Sequence, residues 1–415
     1  MNIITRYKIY LASTGKYLLA SLIPLVFSVL INPLMAKNLS PEDYATIAYF
    51  TSFGSLFSPI IGFFIIDYYL RCYYQSTKEE LIKLKGTALK LLLYMSSLIG
   101  ALCLGGLYVY MTAARVSFNF SPYAVYSLAQ VYLSLFYAFQ LAEYKIAGKS
   151  SEYLKVSVLW GFVVVLLNFF LVIIIKGGAS GKLLAALLGS LLPFVVYITN
   201  NRRFFKVKFD VKIVKSFLIF GAPLVLAGML EFFSNGYDKV LLEKGGDTIS
   251  LGYYAVACQM SGYLNIFSTA LKSTFQPDMF KAIAEKNIRR CTLIILLIIG
   301  IIGSIVLVYI VLCPWVISLL TAGRYVAAIP LSRITALSVI TFSFYSLISL
   351  FTYGVGLSKI TLYNKIIGTA LNIVLLTLLI RTYGVFGAAW GLVLVYVIYA
   401  IGNLCFLYYY RKRFM

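Results

Sequence analysis

Glu231, Ser234, Asn235 and Asp238 recur at i, i+3, i+4 and i+7 within the stretch MLEFFSNGYDKVL, so on a helix they share one face while Phe232, Phe233 and Val240 point elsewhere. The stretch closes an apolar run. An ionisable group near a bilayer centre costs ~2.5–3.5 kcal/mol on insertion scales, so it faces water or a partner. A carboxylate there can take up a proton or a sodium ion, and the hydroxyl and amide beside it can hold a polar cargo. A second stripe, Ser261, Asn265, Ser268 and Lys272, follows i, i+4, i+7 and i+11 and ends on a cation suited to an anionic group. Ser338, Thr341, Tyr345, Ser349 and Thr352 form a third. Isolated Ser, Thr and Asn in apolar helices make packing hydrogen bonds worth under ~1 kcal/mol each, whereas continuous stripes point to a wet lining.

Each further charge has a structural reading beside the functional one. Glu231 lies about fifteen residues into its apolar run, roughly 22 Å from the cytoplasmic end at 1.5 Å per residue; it either lines a cavity or meets a static partner such as Arg333 or Lys239. Asp238 and Lys239 fall near the outer interface, where an interfacial ion pair serves as well as a functional one. Arg333 opens its span but lies off the third stripe. Lys16, Lys90 and Lys365 sit within about a turn of cytoplasmic helix ends and are read as snorkelling to the interface, while Lys272 is the better candidate for cargo contact. Asp67 and Arg71 are spaced for a surface pair. Tyr126, Tyr137, Tyr254 and Tyr345 are deep enough either to stack on sugar rings or to pack.

The 415 residues contain no histidine, which weighs against metal-dependent enzymes and histidine-dependent acyltransferases. Cys103, Cys258, Cys313 and Cys405 lie in apolar runs and read as small core residues, so neither a disulfide framework nor a metal site is inferred. No cofactor is expected beyond a coupling proton or sodium ion.

The elements that must position these groups are membrane helices. The chain is 61% hydrophobic and 12% charged, which leaves no soluble domain. About 20 mainly apolar residues cross the hydrocarbon, and twelve segments qualify: 16–36, 44–69, 86–111, 122–144, 154–175, 183–200, 216–236, 249–274, 291–313, 332–353, 361–380 and 385–408. Arg6, Lys8 and Lys16 precede the first run, which continues to Ala36 without a small-residue cleavage site and is read as a retained span. The net charge of +22 is not a nucleic-acid footprint. Its basic residues fall by alternate connections, 27 of the 36 on the side holding both termini. By the positive-inside rule that side is cytoplasmic.

The richest basic segment, 201–215, falls at the midpoint and reads as a linker between residues 1–200 and 216–415. Ile23-Pro24-Leu25-Val26 is echoed by Ala222-Pro223-Leu224-Val225, and Tyr153 to Lys155 by Tyr363 to Lys365. The common order supports a parallel six-plus-six repeat, an arrangement used for alternating access to a midplane site. The offset that aligns Pro24 with Pro223 places Glu231 over Asn32, so the acid is peculiar to the second half. Pro24, Pro33, Pro59 and Pro223 mark helices expected to bend.

Asn38-Leu39-Ser40-Pro41-Glu42-Asp43-Tyr44-Ala45 after the first span, and Phe220-Gly221-Ala222-Pro223-Leu224 followed by Tyr237-Asp238-Lys239 and Leu251-Gly252-Tyr253-Tyr254, resemble the polysaccharide-export and O-antigen flippase proteins of the multidrug/oligosaccharidyl-lipid/polysaccharide exporter superfamily. The resemblance covers essentially the whole chain. It implies an all-α polytopic membrane protein with twelve transmembrane helices in two six-helix lobes around a central cavity. It also implies a cargo, an undecaprenyl pyrophosphate-linked oligosaccharide moved from the cytoplasmic to the periplasmic leaflet of a bacterial inner membrane, with glycan polymerase machinery as a possible partner. The family often carries Asp-Arg where this chain has Asp238-Lys239, and lysine loses the bidentate fork of arginine. Two rivals stand: an organic-cation exporter of the same fold, and a membrane glycan polymerase or ligase. The latter would carry a large external loop, and the longest outer connection, from Pro314 to Leu331, offers only Arg324.

Overall fold

The computed structural model describes residues 3–208, 210–355 and 357–409, with the side chains of residues 3–14, 18, 21 and 358–360 left aside. Arg6, Lys8, Lys359, Arg411, Lys412 and Arg413, which the charge asymmetry used, lie outside the described residues or side chains. Among the described residues there are helices and no strands. They run α1 (Ile3–Asn38), α2 (Pro41–Gly62), α3 (Ile65–Cys72), α4 (Lys78–Lys90), α5 (Ser96–Ala114), α6 (Tyr123–Ile146), α7 (Ser150–Asn168) and α8 (Gly178–Asn200). After a 3-10 turn at Arg202–Lys206 come α9 (Val211–Asn235), α10 (Tyr237–Lys244), α11 (Thr248–Gly262), α12 (Asn265–Ala284), α13 (Ile288–Leu320), α14 (Ile329–Gly354) and α15 (Ser358–Tyr409).

Ten helices among the described residues are long and apolar enough to cross a membrane. Two of the twelve expected segments are disguised. The longest helix is two, joined at Gly384 with φ 56 and ψ −130, and the segment expected over 249–274 is interrupted between α11 and α12. Helices suit this setting because every backbone group is bonded within its own segment. Their outward faces are openly apolar: Leu30, Leu102, Val311 and Trp315 are all more than two-thirds exposed, as lipid-facing residues must be.

Polar side chains cap the starts of α2, α4, α11 and α13. Ser40 and Asp43 cap each other across the first turn of α2, at 2.9 and 3.1 Å, with Pro41 at the first helical position. Thr77 and Glu80 form the same box at α4, while Asp247 and Asn287 accept the amides of Ser250 and Arg290 to open α11 and α13. The helices run unbroken through Pro24, Pro33 and Pro223 rather than stopping there. Pro24 packs against Gly161 of α7, leaving a Cβ no room at 2.9 Å.

Two compact units emerge, Met1–Leu39 with Phe53–Met229, and Ser40–Ser52 with Leu230–Met415. In the first, Tyr69, Leu89, Phe136, Phe139, Tyr197 and Phe217 form a buried aromatic core. α9 contributes its first turns here because Gly221 and Gly228 let it approach Phe63 and Pro59 closely. In the second, α14 packs against α11, α12, α13 and α15, and Gly252 of α11 meets the Pro41 carbonyl so closely that a Cβ would lie 2.0 Å from it.

Candidate functional site

Of the four residues read as one face, Glu231, Ser234 and Asn235 lie on α9 in the second unit, whereas Asp238 lies beyond the turn at Gly236 on α10, and the partners differ from those expected. Glu231 Oε1 accepts from Asn235 Nδ2 one turn later at 2.7 Å, and Oε2 pairs with Lys365 Nζ of α15. Asn235 Oδ1 accepts from Tyr396 OH at 2.6 Å, and its carbonyl accepts from Lys239 Nζ at 3.0 Å. Glu231 is thus paired, and neither Arg333 nor Lys239 is the partner. Lys365 does not snorkel, because a carboxylate within reach rewards its charge more than a stretch to the interface does.

Aromatic and amide groups extend this network. Tyr396 stacks on Tyr345 with centroids 6.1 Å apart, and Tyr345 lies 5.2 Å from Tyr399. The Tyr399 hydroxyl meets Ser234 Oγ and Thr369 Oγ1, each at 2.9 Å. Asn364 Nδ2 donates to the Tyr399 carbonyl at 2.7 Å and to Asn403 Oδ1 at 2.9 Å, while Asn403 Nδ2 donates to Ser349 Oγ of α14 at 3.0 Å. Ser234, Tyr399, Asn364 and Asn403 are buried. The Glu231 side chain, by contrast, is 47% exposed and that of Lys365 20%, so the charged end is the part of the network that protein does not enclose.

Asp238 is enclosed rather than open at an interface. Gly236 turns the chain from α9 into α10, which folds Asp238 against α11, where it is 2% exposed. Its carboxylate takes Lys239 Nζ at 3.0 and 3.1 Å and Tyr254 OH at 2.5 Å. Those donors occupy it as a structural pair, so Tyr254 has no free hydroxyl to offer a sugar.

The second stripe divides at the break between α11 and α12. Ser261 turns back onto the Ala257 carbonyl of its own helix at 3.0 Å. Ser268 is buried against Ser343 of α14 at 2.6 Å. Both act in helix packing, not as an open lining, since α14 closes over that face. Lys272 Nζ donates to Ser346 Oγ of α14 at 2.5 Å. Asn265 Oδ1 is enclosed with no hydrogen-bond partner among the described residues. Arg333 is exposed and its Nε donates to the Ile310 carbonyl of α13 at 3.2 Å, outside the Glu231 network. In the first unit Asn32 is buried. There Lys16 bonds Ser151 at 2.7 Å, Lys90 bonds the Val207 carbonyl at 2.5 Å, and Arg71 lies over the Phe220 ring at 5.3 Å. Tyr137 is spent in a stack on Trp160.

The structure therefore adds Lys365, Asn364, Tyr396, Tyr399 and Asn403 of α15. A signal existed: Tyr396, Tyr399 and Asn403 stand at i, i+3 and i+7, the same spacing that singled out Glu231.

Residues 34–289 match the family described as "Polysaccharide biosynthesis protein". An uncharacterized membrane protein of Haemophilus influenzae is 22% identical over 304 residues, covering 70% of this chain and 72% of the relative. The Lsg locus putative protein 1 of the same organism is 23% identical over 278 residues, 66% of each. Among solved structures, an inward-facing multidrug resistance MATE family transporter of the MOP superfamily superposes with a TM-score of 0.75 at 15% identity, over 95% of this chain and 97% of that one. The lipid II flippase MurJ in an inward closed conformation gives 0.72 at 17% identity, over 95% and 88%. At these identities the likeness is one of fold.

Proposed function

Because this chain belongs to the polysaccharide biosynthesis protein family, we propose that it is a flippase for a lipid-linked oligosaccharide, carrying an undecaprenyl pyrophosphate-linked repeat unit of an O-antigen or other surface glycan to the periplasmic leaflet by alternating access. The observation that carries this reading is the Glu231–Lys365 pair, half open and backed by Asn235, Tyr396 and Tyr345 inside an otherwise apolar bundle. A diphosphate-linked glycan cannot enter hydrocarbon unaided, and its head needs cations, hydrogen-bonding amides and aromatic faces while the prenyl tail stays in lipid.

In this reading the cargo's phosphate competes with Glu231 for Lys365. The carboxylate so released takes up a proton or sodium ion, which couples the step to the membrane potential at about 2.3 kcal/mol per charge per 100 mV. An organic-cation exporter would need an uncompensated acid at the reachable end, and Glu231 is already neutralised by a lysine. In this reading both termini are cytoplasmic, from the basic-residue asymmetry, and residues 1–200 and 216–415 are the two moving lobes.

The test is surface glycan display in cells that depend on this protein. Glu231→Gln and Lys272→Ala should each reduce display while protein levels stay normal. Normal display in both variants would remove the site.

A further inference from the structure

One cavity stands apart from the Glu231 network. It lies in the first unit, at the end where α3, α6 and α8 finish and α4 begins, and it encloses about 280 Å³. Glu143 is its centre: Oε1 pairs with Lys85 Nζ at 2.5 Å and accepts from Tyr69 OH at 3.4 Å, while Oε2 accepts from Tyr197 OH at 2.7 Å. Lys85 is further held over the Phe204 ring at 4.4 Å. Around them stand Tyr73, Gln140, Tyr144, Asn200 and Asn201, with Lys149 at the rim.

Elimination narrows what such a pocket can hold. A cation gains little, because the carboxylate is already matched by Lys85 and two phenol donors. An anion would meet that carboxylate, which Lys85 and two phenols hold at 18% exposure, whereas the Glu231 side chain of the other pair is 47% exposed and carries no phenol among the described residues. Lys149 keeps a cation at the exposed rim, and what remains unspent within the pocket is neutral and bidirectional. Gln140 gives Nε2 to Tyr144 OH at 3.2 Å, which leaves its Oε1 as an acceptor. Asn201 gives Nδ2 to the Tyr197 carbonyl at 2.8 Å, which leaves its Oδ1. The Asn200 amide and the Tyr73 hydroxyl have no hydrogen-bond partner among the described residues, and the Tyr144 ring adds an aromatic surface, while the Tyr73 ring already meets Tyr69 and Tyr74 edge to face. A ring with hydroxyls on its edge and C–H groups on its faces satisfies both. The volume is below the roughly 300–1,000 Å³ of sites for drug-sized ligands, which suits one such ring.

We infer that this pocket is a sugar subsite that takes a single neutral pyranose. Its connections are the lysine- and arginine-rich ones, so it faces the side on which the glycan is presented, and it holds a sugar of the cargo before translocation. The identity of that sugar as cargo rests on the flippase reading; binding of a pyranose does not.

Lys149 is exposed at the pocket rim, so maleimide labelling of a Lys149→Cys variant, read at that position by peptide mass spectrometry on the purified full chain, reports occupancy. The probes are methyl glycosides of glucose, galactose, mannose and N-acetylglucosamine. At least one should slow labelling by the factor 1 + [L]/Kd, about threefold at twice its Kd. Adding Gln140→Ala and Asn201→Ala should abolish that protection. Equal labelling with every glycoside, protection that survives both alanines, or equal protection by sorbitol or inorganic phosphate would each overturn the assignment. Glu231→Gln should leave protection intact, so loss of glycan display and loss of sugar binding are scored separately.

Discussion

Lys365 and Glu231 sit at the less enclosed end of a network whose inner members are buried, and the two ends should fail differently. At the charged end, Glu231→Lys combined with Lys365→Glu preserves opposite charges while moving the cation. If the pair serves only to hold α9 to α15, the exchanged protein should display glycan normally. If Lys365 is the cation that grips a phosphate, protein level recovers and display does not, which is the expected result. At the buried end, Tyr399→Phe keeps the ring against Tyr345 but deprives Ser234 and Thr369 of their shared hydroxyl. Leaving buried polar groups a partner short costs about 1–3 kcal/mol. The expected outcome is a lower apparent Tm in detergent, with glycan display falling only in proportion to folded protein.

Among the elements, α15 shows what the sequence withheld. Its hydrophobic content announced two spans, and the boundary expected between 380 and 385 is where Gly384 adopts φ 56 and ψ −130, a region only glycine enters readily. Gly384→Ala should cost about 1–3 kcal/mol in strain, read as a drop in apparent Tm and as protease cleavage near the turn; an unchanged Tm would show that the two helices can merge. Helix existence was legible because it follows from apolar length. Spacing also put Glu231 and Asn235 on one side of α9, but it did not show the turn at Gly236 that takes Asp238 onto α10. What could not be read was which face meets which helix. Ser268 and Glu231 look alike as polar intrusions, yet one is sealed under α14 and the other reaches Lys365. From sequence Lys365 reads as an interfacial anchor, since its neighbour in space is 134 residues away along the chain.

For the molecule as a whole, the distribution of charge makes a claim that packing does not. Of the 36 basic residues, 27 fall on alternate connections, a bias that sets how a nascent chain is threaded into the membrane. The linker carrying Lys208 belongs to the rich side, and the end of α10, which carries Lys244, belongs to the poor one. Lys208→Cys and Lys244→Cys place a thiol at two exposed positions. An impermeant maleimide applied to intact cells whose outer envelope has been opened should modify Lys244→Cys, and should reach Lys208→Cys only after the inner membrane is broken. The reverse pattern would invert the protein. It would also put the Glu143 pocket on the periplasmic side, where a sugar bound there would be a released product and not an arriving cargo.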